Sequence, residues 1–207
     1  EYGIIKDSKG LSIPYNFYNG ALKVDENPSE EAIQSNKSLQ RFANYLAELE
    51  QTNPKLVHFN LEILKEDIAK GMYFDSTIPQ GYGVGSSGAL VAAIYDEYAT
   101  DKITVLENLT REKLLKLKKI FGEMESFFHG KSSGLDPLNS YLSIPILINS
   151  KDNIEPAGIP SQTENGKGAV FLLDSGIIGE TAPMVQIFMD NMKQEPFRKM
   201  VKDQFVK

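Results

Sequence analysis

The sequence predicts an α+β protein of 207 residues, and three observations carry this. The first quarter alternates short apolar runs with turn signals, as strands do. Two later stretches, 35–52 and 110–128, repeat apolar residues at helical spacing. A segment rich in Pro, Gly, Asn and Ser, 151–167, then separates this body from a further apolar run and helical pattern. The expected division is a first domain over 1–165 and the beginning of a second over 166–207.

In order along the chain, Gly3–Ile5, Leu11–Tyr18 and Ala21–Val24 read as strands, separated by Asp7-Ser8-Lys9-Gly10 and by Asn19-Gly20. An Asn-Gly pair between two such runs is a strong hairpin signal. Asn27-Pro28-Ser29-Glu30-Glu31 opens a helix that continues to Thr52, with Leu39, Phe42, Leu46 and Leu49 on one face. Leu61–Ile68 fits a strand or a helix, and Met72–Ile78 reads as a strand entering a glycine-rich segment. Lys102–Glu107 is strand-like, and Thr110 caps a long helix reaching about Phe128, with Glu112 in its first turn. His129–Asp136 reads as a loop, Asn139–Asn149 as a helix start followed by an apolar strand, and Gly168–Leu173 as a buried strand ending at Asp174-Ser175-Gly176.

Composition narrows the function. A 41 % apolar content suffices for a core, and no apolar run approaches a membrane span. A net charge of −6 and a pI near 5.1 argue against a nucleic-acid binder, which carries a basic face. Without cysteine there are no disulfides, thiol nucleophiles or thiolate metal sites, and two histidines exclude a His-rich metal centre. No signal peptide is visible, so a cytoplasmic location is expected, where the sequons at Asn36 and Asn108 are chance matches.

The chemistry starts at Pro79-Gln-Gly-Tyr-Gly-Val-Gly-Ser-Ser-Gly-Ala-Leu90, which runs directly into an Ala-rich helical stretch. Glycines let backbone wrap an anion, and the helix start adds unpaired N–H groups and a positive dipole end. Ser86 and Ser87 bring hydroxyls that reach a phosphate oxygen or a cation. Gly83-x-Gly85-x-x-Gly88, with Glu107 downstream, also meets the dinucleotide fingerprint literally. That fingerprint needs a strand running into its first glycine, and Pro79 stands in the way. An ordinary glycine turn is the plain alternative. Gly130-Lys131-Ser132 imitates the end of a Walker A loop, but Glu125 sits where its first glycine belongs.

Two carboxylates follow. Glu125 falls within the apolar stripe Leu114, Leu117, Phe121, Met124 and Phe128, whereas Glu123 projects to the opposite side. A carboxylate on a buried face needs a partner, either a Lys or Arg or a metal ion such as magnesium. Asp136 precedes Pro137, which suits a simple Asp-Pro turn or a group placed to serve an accepting hydroxyl.

Pro79-x-x-x-Gly83-Val84-Gly85-Ser86-Ser87-Gly88-Ala89 resembles the Pro-x-x-x-Gly-Leu-Gly-Ser-Ser-Ala phosphate loop of the GHMP small-molecule kinases, with Val84 for Leu and Gly88 for Ala. Glu125-x-x-x-His129-Gly130-x-x-Ser133-Gly134-Leu135-Asp136 resembles Glu-x-x-x-His-Gly-x-x-Ser-Gly-Val-Asp, the motif of the branch that phosphorylates mevalonate, in a bacterial form. Glu1-Tyr2-Gly3-Ile4-Ile5 is similar to that branch's Gly-Glu-His-x-Val-Val segment, with Tyr2 at the His position. Asp174-Ser-Gly-Ile-Ile-Gly-Glu-Thr181 is similar to the family's Asp-Thr-Gly-x-x-x-Ser-Thr loop.

The resemblance implies an amino-terminal domain like ribosomal protein S5, followed by the start of a ferredoxin-like domain. It also implies ATP and Mg²⁺ as cofactors, a small alcohol such as mevalonate as substrate, no nucleic-acid or membrane partner, and a possible homodimer. Gly83, Gly85, Ser86, Ser87 and Gly88 are then expected to cradle ATP phosphates, and Ser87 and Glu125 to hold magnesium. Asp136 is expected beside the substrate hydroxyl as base or electrostatic orienter. Glu1, Tyr2, His129 and Thr181 are expected near the substrate or the transferred phosphate. His129 also reads as a helix-end residue bonding the last carbonyls, and Thr181 as a helix N-cap. A kinase for another small alcohol or sugar, or a non-catalytic nucleotide-binding module, are the alternatives.

Both ends read as internal to a longer protein: no initiator Met precedes Glu1, and Lys207 lies inside an amphipathic helical pattern. The family's catalytic Lys and its later Gly-rich motif are expected before Glu1 and after Lys207. A molecule lacking them is expected to show little or no kinase activity.

Overall fold

In the computed structural model, residues 2–6, 12–16, 20–78, 83–104, 109–150, 153–157, 179 and 181–205 are described, with backbone alone for 2–6, 12–16, 181 and 182. The chain divides into two compact units, residues 1–79 with 85–167 and residues 80–84 with 168–207. The first unit is α+β. It contains β1 (Tyr2–Lys6), β2 (Ser12–Asn16), β3 (Gly20–Lys23), α1 (Glu30–Thr52), α2 (Leu61–Ala69), β4 (Tyr73–Ser76), α3 (Ser86–Tyr98), α4 (Arg111–His129), α5 (Leu135–Leu142), β5 (Ile146–Ser150) and β6 (Asn153–Pro156).

The helices start where their caps dictate. Ser29 accepts the Ala32 N–H at 3.2 Å and starts α1, and Thr110 accepts the Lys113 N–H at 3.3 Å and starts α4. α1 buries Leu39, Phe42, Leu46 and Leu49, and α4 buries Leu114, Leu117, Phe121 and Met124, as their periodicity predicts. Between them α3 contributes Val91, Ile94 and Tyr95, all fully buried. The Tyr95 ring meets Phe121 and Tyr141 edge-on, at centroid distances of 5.0 and 5.2 Å. Its hydroxyl accepts the Ile103 N–H at 2.9 Å, and the Tyr141 hydroxyl donates to the Ile103 carbonyl at 2.9 Å. The described part of the strand-like 102–107 run is therefore held by two tyrosines without forming a strand, and residues 105–108 lie outside the described residues.

Leu61–Ile68, open between strand and helix, is helical in α2. Asn60 caps it, and Leu64 and Ile68 face the core one turn apart. Asn36 of α1 donates to the carbonyls of Ile68 and Met72 at 2.8 and 2.7 Å, clamping the end of α2. Ser35 accepts the Phe74 N–H at 3.0 Å, and so anchors the strand that leads toward the glycine-rich segment.

Strand pairing departs from expectation. β1 pairs with β2, antiparallel, from Tyr2 opposite Asn16 to Lys6 opposite Ser12. Among the described residues β3 pairs with β4, Gly20 opposite Ser76 and Lys23 opposite Tyr73, and not with β2 as the hairpin expected at Asn19-Gly20 requires. Gly20 lacks the positive φ that the turn requires. Its missing side chain serves packing, because a Cβ there would lie 2.2 Å from the tip of the Phe74 ring. The expected linker also begins with a strand. β6 pairs with β5, and Ile154, 1 % exposed, supplies the apolar anchor.

In the second unit, α6 (Thr181–Asn191) and α7 (Glu195–Phe205) are joined by a short turn, with Phe188 and Phe197 edge-on at 5.8 Å. The strand expected over Gly168–Leu173 lies outside the described residues. No helix among the described residues is long and apolar enough to cross a membrane.

Candidate active site

Gly85 takes a left-handed conformation, φ 80° and ψ 30°, that turns the chain into α3 and offers no side chain as a cap. The first intrahelical bond runs from the Ala89 N–H to the Gly85 carbonyl at 3.0 Å, so the N–H groups of Ser86, Ser87 and Gly88 precede the helix's own ladder. Together with the positive end of the dipole they form an anion-seeking terminus. Gly83, also at positive φ (69°), belongs with residues 80–84 to the second unit.

α4 brings Glu125 to this terminus. Glu125 is the one charged side chain buried among the described residues, at 4 % exposure. Among the described residues no Lys or Arg meets the carboxylate, which is bonded by two hydroxyls. Ser87 donates to Oε1 at 3.0 Å, and Ser132 donates to Oε2. His129, the last residue of α4, places Nε2 3.0 Å from the Ser87 hydroxyl. Its ring therefore faces the phosphate-type loop, while the Gly130 N–H takes a late helix carbonyl, that of Ser126, at 2.8 Å. Leaving a buried carboxylate without a positive partner is costly. A divalent cation is the counter-charge that this donor set fits, since magnesium takes one or two carboxylates and completes its shell with phosphate oxygens and water. No group of three His, Asp or Glu side chains suited to a metal occurs among the described residues.

The loop after α4 depends on its glycines. Gly134 is left-handed, and a Cβ there would lie 2.1 Å from the Lys118 carbonyl and 2.6 Å from the Gly122 nitrogen. This close approach drapes Ser132–Gly134 over α4 and starts α5 at Leu135, earlier than the Asn139 start expected. Pro137 does not break the chain because it lies in the first helical turn, where its missing N–H is tolerated. Asp136 is thus an exposed carboxylate in the first turn of α5, not a residue of an isolated Asp-Pro turn. It packs against the start of α3. A Cβ on Gly88 would lie 2.8 Å from both the Asp136 carbonyl carbon and the Pro137 nitrogen, and one on Gly85 would lie 3.9 Å from Asp136 Cβ. Gly88, where the kinase pattern carries Ala, is what allows the two helix starts to meet.

Of the expected site residues, Gly85, Ser86, Ser87, Gly88, Glu125, His129 and Asp136 come together in the first unit. Glu1 lies outside the described residues, as do Asp174–Ile178 and Glu180 of the later loop. Tyr2 lies in β1 opposite Asn16, with its backbone alone described. Thr181 is the first residue of α6, not the cap preceding it, and lies in the second unit. Sequence reading missed Ser132, whose signal was a serine in a glycine-bounded loop directly after the carboxylate-bearing helix. A cleft of about 810 Å³, lined among others by Lys118, Lys119, Lys131 and Ser133, has none of Ser87, Glu125, His129 or Asp136 on its wall. Ser132, which is bonded to Glu125, does line this cleft.

Residues 39–143, just over half of the chain, match the family model described as the GHMP kinases N terminal domain, so the chain belongs to the GHMP kinases, a family of small-molecule kinases. Neither the curated proteins nor the solved structures yield a match to it.

Proposed function

We propose that this chain carries the ATP-binding domain, 1–165, and the start of the second domain, 166–207, of a kinase that transfers the γ-phosphoryl group of ATP to the primary hydroxyl of mevalonate. The observation that carries this reading is the meeting of Ser87, Glu125 and His129 at the uncapped start of α3, with Asp136 packed against the same turn. The mevalonate assignment draws on the Glu125–Asp136 motif, whose His129-Gly130 element resembles that of the mevalonate branch.

In this reading the N–H groups at 85–88 bind phosphate oxygens, with the Ser86 hydroxyl completing the cradle. Ser87 and Glu125 hold Mg²⁺, which neutralises phosphate charge when bound. Asp136 takes the proton of the substrate hydroxyl as its oxygen bonds to the γ-phosphorus and the bond to the bridging oxygen of ADP breaks. If that proton leaves late, Asp136 orients the hydroxyl instead. Glu1, Tyr2 and His129 contact the substrate or the transferred group. A panel of small alcohols and sugars offered to the full-length protein with ATP and Mg²⁺, with ADP release as readout, tests the substrate. Mevalonate is expected to lead, and a clear preference for another alcohol would replace it.

A further inference from the structure

We infer that Ser132 is a positioning residue that fixes which oxygen of Glu125 faces the phosphate loop, an inference that rests on the kinase reading above. Ser132 occupies one of the unspecified positions between Gly130 and Ser133 in the family-like motif, so the resemblance gives it no role.

Its hydroxyl donates to Glu125 Oε2 and accepts the Gly134 N–H at 3.0 Å. A serine hydroxyl carries one proton, and here that proton goes to the carboxylate while a lone pair serves the loop. The Ser132 N–H is bonded to the Ser126 hydroxyl at 3.2 Å, and that hydroxyl donates to the Gly122 carbonyl at 2.6 Å. Gly122, Glu125 and Ser126 all belong to α4. Ser132 therefore closes a ring of hydrogen bonds that begins and ends on the helix carrying Glu125.

The two hydroxyls on the carboxylate differ in what they can do. Ser87 lies in the first turn of α3 and shares its oxygen between Oε1 and His129 Nε2, so it has partners to exchange when phosphate or cation arrives. Ser132 is committed to its own loop. Oε2 is tied back, and Oε1 is left toward α3. Without that tie the terminal torsion of a glutamate is broad, and either oxygen swings into the site. Outer-shell partners that orient a ligating carboxylate typically contribute about 10–100-fold to metal affinity.

The test measures ATP binding to the full-length protein by calorimetry, with Mg²⁺ and with EDTA. The ratio of the two affinities is the magnesium linkage. Ser132→Ala is expected to lower that ratio by about 10-fold while leaving the metal-free affinity unchanged, and Ser132→Thr to restore it. In a Glu125→Gln background Ser132→Ala is expected to change nothing further, because the group it positions is gone. Ser132→Cys, of similar size and weaker as a donor, gives the same comparison if the alanine variant is too unstable to measure. A wild-type ratio in Ser132→Ala, or an equal loss with and without Glu125, overturns the inference while leaving the kinase reading intact. A wild-type protein with no magnesium linkage removes the kinase reading and the role of Ser132 with it.

Discussion

Restoring the family's alanine at position 88 is expected to harm this protein. In most helices Gly→Ala adds about 0.5–1 kcal/mol of stability, and a change toward a family pattern usually helps. Here the new Cβ would lie 2.8 Å from the Asp136 carbonyl carbon and the Pro137 nitrogen, and 2.9 Å from Asp136 Cβ, where ordinary contact begins at 3.4 Å. Two of those atoms are backbone, so no flexible side chain can move aside. The start of α5 must retreat by roughly half an ångström, and overpacking of this kind costs about 1–3 kcal/mol. The net loss is about 0–2.5 kcal/mol, which for a chain of this size lowers Tm by up to roughly 10 °C. Asp136 rides on the displaced turn. Since an ångström of misplacement costs about 100-fold in rate, turnover is expected to fall by about 10-fold. Thermal unfolding by calorimetry and ADP release from the full-length protein read the two effects. A Gly88→Ala variant with a raised Tm and unchanged turnover would refute the close approach of α3 and α5.

Gly134→Ala combines backbone strain at φ +72° with a Cβ 2.1 Å from the Lys118 carbonyl, and is expected to cost about 3 kcal/mol or more. Gly71→Ala, at φ +95° with nothing within 4 Å, is expected to lose only the strain, about 1–2 kcal/mol, and equal losses in urea melts would contradict the loop's seat on α4. Burial pushes the Tyr141 hydroxyl up to about 12 and raises Tyr95 and Tyr98 as well. Because the raised groups keep their protons longer in the folded state, their contribution is full below the ordinary phenol value of 10.0 and is lost at higher pH, that of Tyr141 as pH rises through about 12. Tm is expected to be flat to about pH 9 and to fall beyond it, whereas native protein whose tyrosines all titrate normally would contradict this burial. Tyr95→Phe leaves the Ile103 N–H without its acceptor and is expected to cost about 1–3 kcal/mol, seen as a lower denaturant midpoint.

How much of this was legible depended on whether the deciding forces were local. Thr110 announced α4 and the segment Asn27–Glu31 announced α1, because a cap acts within three residues. Glu125 stood out because one carboxylate interrupted an otherwise apolar 3.6-residue period. What partnered it was not legible, since Ser87 lies 38 positions away and Ser132 sits in a loop without periodicity. The pairing of β3 with β4 escaped for the same reason. Asn19-Gly20 satisfies a local turn rule, but the Phe74 ring, far along the chain, needs that glycine for its seat. Pro137 misled as well, because a proline in a first helical turn reads like the end of a loop. Gly88 stood only as a departure from the family's Ala, because its neighbour in space, Asp136, lies far along the chain.

The most direct test of the central claim is the rate of ATP-dependent mevalonate phosphorylation by the full-length protein and its Glu125→Gln and Asp136→Asn variants, all three verified as folded. The wild-type protein is expected to turn over only with Mg²⁺ present. Asp136→Asn is expected to lose roughly 10²–10⁴-fold in kcat if Asp136 is the acid-base group proposed, and Glu125→Gln to lose its magnesium dependence along with most of its rate. Variants as fast as the wild-type protein would contradict the assignment of phosphoryl transfer to the junction of α3, α4 and α5.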